Sequence, residues 1–119
     1  MKRILTKRIY EPVHRDDGVR VLVDRLWPRG ISKNAVSIDY WAKELAPSSE
    51  LRKWYGHDVS KWEEFRSRYR EELAANPALR EFVLKYQGGE VLTLLFAAKD
   101  VRFNNAIVLQ EYLKELWKC

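Results

Sequence analysis

The residues best suited to chemistry lie just after the apolar run Val21-Leu22-Val23: Asp24, Arg25, Trp27, Pro28, Arg29 and Gly30. Packing alone rarely needs two guanidiniums, a carboxylate and an indole so close together. An anion does, because the forked donors of arginine match phosphate or carboxylate oxygens. A second cluster, Lys99-Asp100 and then Asn104-Asn105, follows the apolar run Val91–Ala97. The third is His57-Asp58 in "YGHDVS". There an imidazole able to move protons near neutral pH stands beside a carboxylate that could orient it.

Each cluster also has a plainer reading. Asp24 could simply pair with Arg25, Arg29 or Lys99, as charges at a sheet edge often do. Trp27-Pro28 could plug a loop, and Gly30 could supply a turn at positive φ. His57 and Asp58 are adjacent and could point apart, leaving Asp58 to support the next helix. Other chemistries have less to build on. The chain contains no GxGxxG, GxxxxGK[ST] or GxSxG motif. Its only histidines are His14 and His57, with no ligand-like spacing, so no metal and no cofactor is expected. The single cysteine, Cys119, allows no internal disulfide and fits a reducing, cytoplasmic setting.

The positions of these clusters follow from the elements around them. Residues 4–10 read as a strand, parallel or antiparallel at a sheet edge, and "EPVHRDDG" as turn chemistry. Residues 19–24 and 91–97 read as strands apolar on both faces, the pattern of a buried parallel sheet. Between them, a helix capped by Ser48 or Ser49 ends at Gly56. "SKWEEFRSRYREEL" starts from a capping box, Ser60 with Glu63, and buries Trp62, Phe65, Tyr69 and Leu73. Asn76 caps a third helix with Pro77 at its first position, and Leu79, Phe82, Val83 and Tyr86 face inward. The last helix runs from about Asn104 to Trp117, capped by Asp100 or Asn104. Its apolar face is Leu109, Tyr112, Leu113, Leu116 and Trp117. "DYWAKELAP" suggests a short helix stopped by Pro47.

Strands separated by helices predict an α/β fold: a single domain over 1–119, a small, mainly parallel sheet flanked by helices in a three-layer sandwich. In such sheets ligands sit beyond the carboxyl ends of the strands. Parallel neighbours would therefore bring Asp24, Arg25, Trp27, Arg29, Lys99, Asp100 and Asn105 to one rim.

The runs "DDGVRVLVDRLWPRGISK", "WAKELAPSSELRKWYGHD", "WEEFRSRYREEL" and "LLFAAKDVRFNNAIVLQEYL" resemble the YeaO-like family of small bacterial and archaeal proteins of unknown function. The resemblance spans Asp17 to about Leu113 and implies an α/β protein with no established reaction. Longer relatives in the wider group carry a cysteine and a histidine shortly after the equivalent of Val91–Ala97. Here Asn104-Asn105 stand in that region, so the resemblance argues against thiolate chemistry.

The leading expectation is a cationic pocket for an anionic small molecule, phosphate or nucleotide-like. Arg25 and Arg29 would grip it, Lys99 would assist and Asn105 would orient it. His57 or Asp58 would move a proton if a reaction occurs. The net charge of +5, from 22 Lys+Arg against 17 Asp+Glu, and the arginines of 52–70 support a rival: a nucleic-acid-binding or regulatory module. A third reading is an aromatic surface that dimerises. "MKRILTKRIY" lacks the apolar core of a secretory signal, and no run is long enough to span a membrane.

Overall fold

The computed structural model describes residues 1–34 and 36–119. Among these, four strands form one sheet: Arg3–Arg8 (β1), Val19–Leu22 (β2), Tyr40–Trp41 (β3) and Val91–Phe96 (β4). Their order is β1-β4-β2-β3 and every neighbouring pair is parallel. The α-helices are Ser49–Tyr55 (α1), Trp62–Ala74 (α2), Pro77–Tyr86 (α3) and Asn105–Trp117 (α4). Short 3-10 turns lie at Arg15–Asp17, Lys43–Leu45 and Val59–Lys61.

β4 occupies the centre because it is apolar on both sides. Leu92, Leu94 and Phe96 join Ile4 and Val21 in the main core, against Leu51 and Tyr55 of α1, the Trp62-Phe65-Tyr69-Leu73 stripe of α2, and Leu109 and Leu113 of α4. Leu79 and Phe82 of α3 close the same core. On the other face Leu95, Leu22 and Ile9 form a second cluster with Trp27, Ile31, Ile38 and Trp41. Helices thus cover one face, while irregular chain between β2 and β3 covers the other. Pro28 offers no amide proton and Gly30 turns at φ 75°, so this segment cannot propagate helical hydrogen bonds.

The chain returns from β1 to β2 by passing over β4, because both strands pair with it. The turn at Arg15–Asp17 makes that crossing. The backbone oxygen of Asp17 accepts from Thr93 Oγ1 at 2.6 Å. Its carboxylate accepts from Lys7 at 3.2 Å, from the His14 amide at 3.0 Å and from Arg20. Gly18 then enters β2 at φ 64°, ψ −136°. A Cβ there would stand 2.3 Å from the Val91 carbonyl oxygen, in a conformation that L residues avoid. Gly18→Ala should therefore cost about 2–3 kcal/mol, read as a lower denaturant midpoint. Gly30→Ala, with nothing within 4 Å of the added carbon, should cost less. Equal losses at the two positions would refute the steric account.

Several local expectations change. Residues 39–47 are not a helix. Tyr40 and Trp41 pair with Val21 and Leu22, and only Lys43–Leu45 coil, because the short β3 supplies the sheet's second edge. The predicted capping box is absent: α2 starts after Lys61 with no side-chain cap, and Ser60 instead donates to Asp58. Leu116 is exposed, one turn past the buried Leu113. Arg66 reaches across to Glu111 of α4 at 2.8 Å, whereas Arg68 pairs with Glu64 along α2. Asn76 caps α3 and Asn104 caps α4 as read from the sequence.

Candidate functional site

β2 and β4 run side by side in the same direction, so the segments after them emerge at one edge. A cleft of about 840 Å³ opens there. Asp24, Arg25, Trp27 and Arg29 line it from the β2 side, with Lys99, Asp100 and Asn105 from the β4 side. Its opposite wall is the end of α1, with Arg52, Lys53, Tyr55 and His57. That wall is held by two ties. Ser48, the cap of α1, bonds Glu72 of α2 through both its amide and its hydroxyl, at 2.8 and 2.6 Å. Tyr55 donates to the Phe103 carbonyl at 2.8 Å, joining α1 to the approach of α4.

At the floor, Asp24 Oδ2 accepts from the Ala97 amide at 2.9 Å, and its Oδ1 accepts from Asn105 Nδ2 at 3.1 Å. The same amide nitrogen of Asn105 also donates to the Val23 carbonyl at 3.0 Å. Among the described residues no lysine or arginine pairs with Asp24, so the ion-pair reading of this residue does not hold. Burial pushes its carboxyl above the ordinary aspartate range, against the opposing pull of the Ala97 amide, Asn105 and the nearby His57.

The basic residues divide into two kinds. Arg25 is turned onto backbone carbonyls, Nε to Pro47 at 3.0 Å and Nη2 to Ala46 at 3.3 Å, and braces the loop ahead of α1. Arg8 braces the opposite side through the carbonyls of Ala97 and Ala98. Arg29, Arg52, Lys53 and Lys99 are exposed and make no ion pair among the described residues. These four exposed cations thus line the cleft above a floor formed by Asp24 and Asn105, whose Ala97 and Asn105 donors are already bonded to Asp24 and Val23.

Three predicted site residues serve the loops around the cleft. Trp27 lines its edge and also plugs the second cluster, donating to the Ile31 carbonyl at 2.7 Å and meeting Trp41 edge-on at 5.1 Å. Asp100 accepts from the Arg102 and Phe103 amides, which hold its carboxyl below the usual range, and so shapes the entry to α4. Asp58 does not line the cleft. It caps the turn at Val59–Lys61, and the hydroxyl and amide of Ser60 lower its pKa. It therefore does not orient His57, which sits on the cleft rim at φ 59° after Gly56 at φ 53°. Two successive left-handed residues re-aim the chain there, a conformation free to glycine and one in which histidine, like asparagine and aspartate, is enriched.

Tyr10, Arg52, Lys53 and Tyr55 also line the cleft and were not predicted. Tyr10 had a usable signal: it follows β1, and a parallel β1 ends at the same edge as β4. Its hydroxyl donates to the Arg29 carbonyl at 2.9 Å. Tyr55 reads from sequence as helix packing, and it does stack on Phe65 at 4.3 Å while also lining the cleft.

Known proteins resemble this chain along nearly its whole length. The family described as "Inactive DUF488-N3 subclade" matches residues 3–119. The uncharacterised protein YeaO of Escherichia coli (strain K12) is 42% identical over 113 residues, covering 95% of this chain and 98% of its own. An uncharacterised protein of Mycobacterium tuberculosis (strain H37Rv) is 45% identical over 111 residues, 93% of each chain. A Mycobacterium bovis protein matches to the same extent. No solved structure matches significantly.

Proposed function

Because the chain belongs to the DUF488 family, in the subclade whose description reads "inactive", we propose that it binds an anionic small molecule, phosphate or nucleotide-like, without converting it. The observation that carries this reading is the rim: Arg29, Arg52, Lys53 and Lys99 surround a cleft of ligand size with no carboxylate partner among the described residues. Arg29 and Lys99 hold the anion. Arg25 acts through the loop it braces, and Asn105 orients the ligand from the floor. His57 is an additional donor on the rim. Asp58, turned to its cap, leaves no oriented acid–base pair, in keeping with binding alone. The location proposed is cytoplasmic, in accord with a single, exposed cysteine. Among the described residues no helix is long and apolar enough to cross a membrane.

Calorimetry with inorganic phosphate, ribose 5-phosphate and AMP at low salt tests the proposal. The expected result is saturable one-to-one binding, with the ligand recovered unchanged by chromatography. Absence of binding by every probe would refute the reading, and steady conversion of a probe would refute its non-catalytic part. The nucleic-acid reading has less support, because three of the arginines that motivated it are engaged: Arg66 with Glu111, Arg68 with Glu64 and Arg70 with Glu115.

A further inference from the structure

We infer that the ligand of this cleft has two unlike ends: an anionic group held at Arg29 and Lys99, and an N–H donor received by Asp24 and Asn105. This rests on the anion-binding reading above and names the ligand class more narrowly. The rim and the floor differ in kind. Arg29 and Lys99 can only donate. Beneath them, Asp24 accepts two hydrogen bonds from the described residues, from Ala97 and Asn105, although its carboxylate has about four acceptor positions. The amide nitrogen of Asn105 is spent on Val23 and Asp24, and its Oδ1 receives no donor from the described residues.

Asp24 is half-buried at the cleft floor, where a carboxylate commonly has a cation beside it. Arg25, the next residue, points instead to Pro47 and Ala46. The floor thus offers acceptors and lacks donors. A bare phosphate would satisfy the rim and meet only acceptors below it. A phosphate joined to an amino-bearing planar group would satisfy both, with Tyr10 and Tyr55 flanking the body between them. Aminopurine and aminopyrimidine nucleotides have this chemistry, and about 840 Å³ accommodates one.

The test compares AMP and CMP with their N,N-dimethylated counterparts and with ribose 5-phosphate, by calorimetry on the parent protein and on Asp24→Asn. At least one of AMP and CMP should bind about tenfold tighter than ribose 5-phosphate, and dimethylation should remove that preference. Asp24→Asn should narrow the same ratio to within about threefold. Its fold is checked by circular dichroism, since Asp24 also receives the Ala97 amide. If the variant does not fold, the dimethyl comparison on the parent decides alone. Ribose 5-phosphate binding as tightly as both nucleotides, or dimethylated ligands binding unchanged, would overturn the donor end while leaving the anion site standing. Failure of every probe to bind would remove the anion site and this inference together.

Discussion

Replacing Arg29 and Lys99 together by alanine should weaken AMP binding by about 100-fold, since each charge-assisted hydrogen bond contributes about 1.5 kcal/mol or more. The two residues belong to different connections, one after β2 and the other after β4, and meet at the cleft only because those strands run parallel. Neither pairs with a carboxylate among the described residues, so their removal should leave the fold intact and the denaturation midpoint nearly unchanged. The matched control is Arg15→Ala with Arg80→Ala. These exposed cations lie outside the cleft, and their loss lowers the net charge equally. If the control pair weakens binding as much as the cleft pair, the attraction is a general field effect. Calorimetry at matched ionic strength separates the cases.

The second large effect concerns the opposite face of the sheet. Asp17→Asn should cost about 3–5 kcal/mol at pH 7, because it leaves the buried guanidinium of Arg20 and the half-buried ammonium of Lys7 without their counter-charge. Arg20 is 4% exposed and Asp17 6%, so water cannot take over the lost interaction. Burial alone would raise the pKa of Asp17. The His14 amide, Lys7 and Arg20 outweigh it and hold the carboxyl below its ordinary value.

The sign of the pH dependence follows. A depressed folded-state pKa means that Asp17 contributes its stability above the unfolded value, near pH 4, and loses it as pH falls through the lower folded value. The gap in urea midpoint between the parent and Asp17→Asn should therefore be full at pH 7 and close progressively below about pH 4. A gap of equal size at pH 7 and pH 2 would assign the loss to packing. Asp24 has the opposite sign. Its raised pKa makes ionisation costly in the folded protein, so its own contribution declines as pH rises through the acid range above about pH 4. The two carboxyl groups thus shift in opposite senses, Asp17 within an ion group and Asp24 at the floor of the cleft.

Much of this protein is local enough to be read from its residue order. The doubly apolar runs at 19–24 and 91–97 have one stable home, the interior of a parallel sheet. The spacing of Trp62, Phe65, Tyr69 and Leu73 permits only one buried face on a helix. Asn76, Asn104 and Gly56 mark helix ends because each satisfies or relaxes backbone groups within its own turn. Given parallel strands, the sharing of one edge by Arg29 and Lys99 follows from connectivity.

Tertiary contacts decided the rest, since partners distant in the chain compete for the same side chain. Arg25 and Arg29 are alike in sequence. Only the approach of Ala46 and Pro47 makes Arg25 a brace and leaves Arg29 open to the cleft. Asp58 is drawn from His57 to Ser60, and Tyr40–Trp41 extends because β2 offers it hydrogen bonds that outweigh a short helix's own. Asp24, next to one arginine of its cluster and five residues from the other along the chain, finds its donors at Ala97 and Asn105, beyond the end of β4. Residue order supplied the charges and the rims on which they stand; which charges remain unpaired depended on what the folded chain brought beside them.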